Sequence, residues 1–209
     1  MAKRRKVSNL LALAILALLG ERPMHPYGMA SVLRERGKAT SLKINWGSLY
    51  TVVDNLEKHG LIQAAHTTRQ GRRPERTVYR ITAAGAEEMR DWLRELIRVP
   101  EKEFPRFATA LSELPGLPPD EARELLEQRM ATLDAENAEL RADLKRVGET
   151  VPRLFLIEAE YELALRETEA RWTRSLLDDL RDGSLPGLSG WRSFHETGRL
   201  PGEFTDPAE

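Results

Sequence analysis

Trp46-Gly-Ser-Leu-Tyr-Thr-Val-Val-Asp-Asn-Leu-Glu-Lys-His-Gly60 runs straight into Leu61-Ile62 and then into Arg69-Gln-Gly-Arg-Arg73, and the reading of this stretch decides the fold. Leu49, Val52, Val53 and Leu56 fall at i, i+3, i+4 and i+7, which gives a short helix one apolar face. Ser48, Tyr50, Thr51, Asp54, Asn55 and Lys58 then point elsewhere, and Gly60 closes the helix. Two β-like runs, Leu61–Thr67 and Thr77–Thr82, flank Arg69, Arg72, Arg73 and Arg76. A short helix followed by a basic hairpin predicts a winged helix-turn-helix, in which the helix enters a major groove and the hairpin grips the neighbouring backbone. Hydroxyl and amide side chains beside clustered guanidiniums suit base edges flanked by phosphates.

Working outward, the charge of the chain supports this reading only once it is divided. The net charge of −1 hides a basic half and an acidic half. Residues 1–98 carry 18 Lys and Arg against 9 Asp and Glu, a net of +9. Residues 99–209 carry 14 against 24, a net of −10. Such segregation points the first half at a polyanion.

Upstream, Lys3-Arg-Arg-Lys6 precedes an apolar run from Leu10 to Leu19. The run is shorter than the roughly 20 residues a spanning helix takes, and no A-x-A cleavage site follows. It is therefore read as a buried helix capped by Ser8 and stopped at Gly20, in a cytoplasmic protein without a membrane partner. A second helix is expected over Tyr27–Arg36, and a fourth after Thr82 with Met89, Trp92, Leu93, Leu96 and Ile97 on one face.

Downstream, a domain boundary is expected at Val99-Pro100. This divides the chain into a DNA-binding domain (1–98), a helical dimerisation and effector domain (99–182) and a flexible, Gly- and Pro-rich tail (183–209). The second half reads as helical, so the expected class is mainly α with a small β-hairpin wing. Leu126, Leu133, Leu140 and Val147 recur every seven residues, with Met130, Asn137 and Leu144 between them. Asn137 at a core position can fix register and partner number. Two antiparallel helices of one chain could satisfy this seam, but a groove-reading domain gains from two-fold pairing, so a homodimer is expected through Leu126, Leu133, Asn137, Leu140, Leu165 and Trp172.

Several motifs together carry a family resemblance. Met24-His-Pro-Tyr-Gly-Met-Ala-Ser-Val-Leu33, Gly47-Ser-Leu-Tyr50, Leu56-Glu-Lys-His-Gly-Leu-Ile62, Arg72-Arg73 and Val78-Tyr-Arg-Ile-Thr-Ala-Ala-Gly85 stand in order over about residues 8–98. Together they resemble PadR-type transcriptional regulators. The stretch from Phe107-Ala-Thr-Ala-Leu111 through Tyr161 to Trp172 is similar to the long C-terminal region of the larger members, which that family uses to dimerise. The resemblance implies a dimeric repressor that answers to a small effector, often aromatic. Thr51 departs from it, standing where many members carry proline, and nothing transfers to the chain after Leu180.

The expected contacts with a palindromic operator are therefore Lys43, Asn45, Ser48, Tyr50 and Thr51 around the recognition helix, and Arg69, Arg72 and Arg73 in the wing. Asn45 and Ser48 also suit helix caps near phosphate, and Lys3 to Lys6 a mobile further contact. Trp92, Tyr161 and Trp172 are candidates for a planar effector's walls. The chain has no cysteine, its four histidines are scattered without metal-ligand spacing, and it shows no phosphate loop or nucleophile motif. An enzyme, a metal and a cofactor are accordingly not expected. The competing readings are a MarR-like regulator and a winged helix that docks a protein instead of DNA.

Overall fold

The computed structural model describes residues 5–38, 46–68 and 76–199. The chain divides into two compact units, residues 1–103 and 104–209.

The centre of the first unit is α1 (Leu10–Glu21), whose Leu11, Ala12, Ile15, Leu16, Leu18 and Leu19 are all buried. A helix apolar on nearly every side is stable only when surrounded, and α3, α4 and the sheet described next surround this one. Asn9, not Ser8, caps it: the Asn9 Oδ1 accepts from the Leu11 N–H at 2.9 Å. After Pro23 the chain pairs Met24 with Tyr79, N–H to carbonyl in both directions at 3.0 and 2.9 Å. His25 then caps α2 (Pro26–Glu35) by accepting the Gly28 N–H on Nδ1 at 2.8 Å.

A 3-10 turn over Trp46–Ser48 leads into α3 (Leu49–Lys58). Leu49, Val52, Val53 and Leu56 are buried, as their spacing requires. Ser48 precedes the helix but makes no side-chain cap hydrogen bond, contrary to the expected capping role. At the other end Gly60 adopts φ +70, which a residue with a Cβ resists. This left-handed turn lets the Leu61 N–H reach the Leu56 carbonyl at 2.9 Å and the Gly60 N–H reach Glu57 at 2.8 Å. These two bonds close the helix as a Schellman motif.

The strands β1 (Ile62–Thr68) and β2 (Arg76–Ile81) pair antiparallel, with a register shift between Ala64 and His66. Ile62 and Val78 are buried. Thr82 caps α4 (Ala83–Arg98) as expected, accepting the Gly85 N–H at 3.0 Å and donating its hydroxyl to the Gly60 carbonyl at 2.7 Å. Of the apolar face read for α4, Trp92 is buried, whereas Leu93, Leu96 and Ile97 are exposed.

In the second unit, α5 (Arg106–Ser112) precedes two long helices, α6 (Pro119–Gly148) and α7 (Ile157–Asp182). They form an antiparallel hairpin, because ion-pair partners run in opposite order along them: Glu127 with Arg181, Asp134 with Arg174 and Arg141 with Glu167. Leu126, Met130 and Leu133 pack with Ala170, Leu177 and Leu180 of the same chain. The seam read from the heptads is thus filled within one subunit. Asn137 lies in it, and its Oδ1 has no hydrogen-bond partner among the described residues. The exposed ion pairs contribute little individually, so burial along the seam holds the hairpin together.

The region expected to be a flexible tail instead contains a helix, α8 (Leu188–Thr197). Leu188 and Trp191 join the core of the second unit, and the indole Nε1 donates to the Leu117 carbonyl at 2.8 Å. Glycine and proline at both ends of α8 terminate it without preventing it. Among the described residues no helix is long and apolar enough to cross a membrane.

Candidate nucleic-acid interface

Burying one side of α3 fixes what the other side offers. With the apolar quartet inward, Tyr50 is 59% exposed, and Thr51, Asp54, Asn55 and Lys58 are exposed alongside it. Ser48 is half-buried at the start of the helix. Lys43, Asn45, Arg69, Arg72 and Arg73 lie outside the described residues. The helix is also coupled to the wing: the Tyr79 hydroxyl is raised above its ordinary value by burial, with Glu57 and Asp54 of α3 adding to the shift. β1 packs against α3, and the Tyr79 side chain of β2 reaches Glu57 on that helix.

Arg76 of the basic hairpin comes to this region as read, and Tyr27 comes to it without having been singled out. The guanidinium of Arg76, at the foot of β2, sits 5.5 Å from the ring centroid of Tyr27, and His25 lies 6.2 Å from the same ring. Tyr27 is exposed. The single bridge between Met24 and Tyr79 brings the start of α2 to the wing's base. One bridged residue leaves no periodic trace in a sequence.

Arg5 is not a mobile contact. Its guanidinium is 5% exposed, bonds Glu88 and Glu95 at 2.5 Å each, and lies 5.2 Å from the Trp92 ring centroid. Trp92 is consequently a core residue of the first unit under an arginine roof, not an open wall for a ligand. Tyr161 and Trp172 lie in the second unit on α7, 66% and 49% exposed. Trp172 meets Phe107 of α5 edge-on, and the Arg129 guanidinium covers the other ring at 3.7 Å. Of the residues expected to pair two chains, Leu126, Leu133 and Asn137 are buried inside the hairpin, Leu140 is half-buried, and Leu165 is exposed with Trp172. No group of three or more His, Asp or Glu gathers to hold a metal among the described residues.

This arrangement defines a winged helix-turn-helix unit joined to a helical C-terminal unit. More particularly, residues 15–91 match the family model described as the Transcriptional regulator PadR-like family. Solved structures agree in fold. The crystal structure of Bacillus subtilis PadR in complex with operator DNA matches with TM-score 0.67 at 23% identity, over 82% of this chain and 99% of that one. The same protein in complex with p-coumaric acid matches with TM-score 0.68 at 20% identity, over 83% and 99%. The PadR-like transcriptional regulator BC1756 from Bacillus cereus matches with TM-score 0.59 at 17% identity, over 83% and 99%. No curated protein matches the chain.

Proposed function

We propose that this protein is a sequence-specific DNA-binding transcriptional regulator that acts as a homodimer on a palindromic operator. The observation that carries the reading is the division of α3 into a buried apolar face and an exposed face of Tyr50, Thr51, Asp54, Asn55 and Lys58, next to a β-hairpin whose connecting sequence carries Arg69, Arg72 and Arg73. The likeness in fold to a PadR bound to operator DNA supports it. Two copies of α3 enter successive major grooves about 34–36 Å apart. Asn45, Ser48, Tyr50 and Thr51 face base edges or adjacent phosphates, while Lys43 and the wing arginines hold the backbone or the minor groove. Tyr27 and Arg76 extend that backbone footprint at the wing's base. Footprinting on the DNA flanking the protein's own gene tests this. A protected two-fold repeat is expected, and protection no greater than an inert acidic protein gives would defeat the proposal.

The pairing surface in this reading is the outer stripe of α7. Ile157, Tyr161, Leu165 and Trp172 lie at i, i+4, i+8 and i+15, and all are exposed. Leu126, Leu133 and Asn137 already serve the chain's own hairpin, so they support the pairing surface from beneath.

The complex of B. subtilis PadR with p-coumaric acid favours a second element, repression relieved by a small aromatic effector. Tyr161 and Trp172 supply its aromatic walls. A ligand preferring one arrangement of the dimer shifts the population away from the DNA-competent state. Titrating p-coumaric acid into the operator complex is expected to quench tryptophan emission and release DNA together. Quenching without release removes the regulatory part.

A further inference from the structure

We infer that the second unit carries a binding site for a small uncharged aromatic molecule, in an apolar cavity beneath α8. The cavity has a volume of about 330 Å³. Its walls are Leu111, Leu114 and Pro115 at the end of α5, Leu185 in the turn after α7, and Trp191 and Phe194 of α8. No charged side chain lines it.

The cavity is partly open to solvent, and what sets it apart is a lining that is almost wholly apolar. It lies at the small end of ligand-binding pockets, which start at about 300 Å³. Its origin lies in how α8 is held. The Trp191 Nε1 donates to the Leu117 carbonyl at 2.8 Å, and the His195 Nε2 lies 2.9 Å from the Pro115 carbonyl. These two bonds tether α8 to the segment after α5 and engage the polar atoms of both rings. The space between is left to aliphatic side chains and the faces of an indole and a phenyl ring, and such a lining offers water few hydrogen bonds and favours apolar guests.

The same lining decides the ligand's chemistry. Trp191 and Phe194 offer ring faces and edges to a planar guest. The lining has no cation, and its one side-chain donor, the Trp191 indole, is already bonded to Leu117, so a carboxylate would find only the backbone at the start of α8 in exchange for its hydration. The guest is therefore neutral and one or two rings in size. This site is separate from the exposed α7 stripe and does not depend on the DNA-binding reading.

The test uses the full chain with naphthalene as probe and 2-naphthoate as its anionic match. Calorimetry at neutral pH is expected to give saturable uptake of one naphthalene per chain, with 2-naphthoate at least tenfold weaker (on the order of 1.4 kcal/mol). Leu111→Phe and Leu185→Phe fill the cavity from different walls, and each is expected to abolish uptake while keeping the parent's circular dichroism. Should both variants misfold, nuclear Overhauser contacts between naphthalene and the Leu185 and Phe194 side chains of the parent protein decide the location. The inference is overturned by any of four outcomes: no saturable uptake up to the solubility of naphthalene, equal binding of the naphthoate, unchanged binding by a folded cavity-filling variant, or contacts that map elsewhere. Uptake that appears only after removal of residues 200–209 also overturns it, since the chain's own end would then be the occupant.

Discussion

Gly85 approaches Leu61 so closely that a Cβ built on the glycine would lie 1.9 Å from the Leu61 carbonyl oxygen. The same carbonyl accepts the Thr82 N–H at 3.1 Å. The first turn of α4 is thus seated on the backbone that joins the end of α3 to the first wing strand. Gly85→Ala sets a methyl group against a fixed backbone atom that no rotamer change can clear. It is expected to lower stability by on the order of 3 kcal/mol in urea unfolding. A variant as stable as its parent would mean that α4 is not seated there.

Arg5 gives the second prediction. It lies between two carboxylates 83 and 90 residues away and shields Trp92. Arg5→Ala leaves Glu88 and Glu95 without their shared cation. Breaking a fully buried pair costs about 3–5 kcal/mol, and the partial exposure of both carboxylates here reduces that to about 2 kcal/mol. Unfolding midpoints should fall, and tryptophan emission should shift to the red as water reaches Trp92. Unchanged emission would rule out the roof.

These two contacts also mark where a sequence stops being legible. Helix α3 is readable because burial of Leu49, Val52, Val53 and Leu56 follows a local period, and that period also assigns Tyr50 and Thr51 to the open face. Thr82 was readable because a cap acts within three residues. The partner of Arg5 leaves no local trace. The heptads of α6 specify an apolar stripe but not whose helix fills it, and α7 of the same chain does. Helix α8 was hidden because its flanks are rich in glycine and proline, while its anchor, Leu117, is 74 residues from Trp191. Asn9 and Ser8 are equally able to cap, so only the geometry chooses between them.

The proposed footprint separates two kinds of contact. Arg72→Ala with Arg73→Ala should flatten the dependence of log K on log salt by about two units per wing, since each phosphate contact contributes about one. Tyr50→Ala and Thr51→Ala should leave that slope alone and instead reduce discrimination between operator and random DNA by about 1–3 kcal/mol. Both side chains are exposed, so thermal stability should hardly change. An unchanged slope in the double arginine variant would remove the wing from the interface.

Acid should loosen the join between α1 and the end of α2. Arg36 donates to both oxygens of Glu21 at 2.5 and 2.7 Å, and this hydrogen bonding holds the Glu21 carboxyl below its ordinary value of 4.5. A carboxyl depressed on folding contributes stability above its unfolded value and loses it as pH falls through the folded one. Both side chains are nearly half exposed, so the effect is modest. Glu21→Gln should therefore narrow the loss of melting temperature between pH 6 and roughly pH 3.5. A parallel pair of pH curves would show that the bridge contributes nothing.

Pairing of two chains through α7 makes the outer stripe and the inner seam respond differently to substitution. Leu165 is exposed and Leu133 is buried, although both are apolar and each lies on one of the two long helices of the hairpin. Leu165→Glu removes no contact from the hairpin core but sets a charge at the centre of the proposed subunit contact, where its twin would face it across a two-fold axis. Sedimentation should show a monomer with unchanged helicity, and operator affinity should fall because one winged unit then binds without the other. Leu133→Ala, by contrast, opens a hole between α6 and α7 and should cost about 2–5 kcal/mol of stability. If Leu165→Glu stays dimeric at micromolar concentration, the chains pair elsewhere, and the exposed stripe of α7 has another purpose.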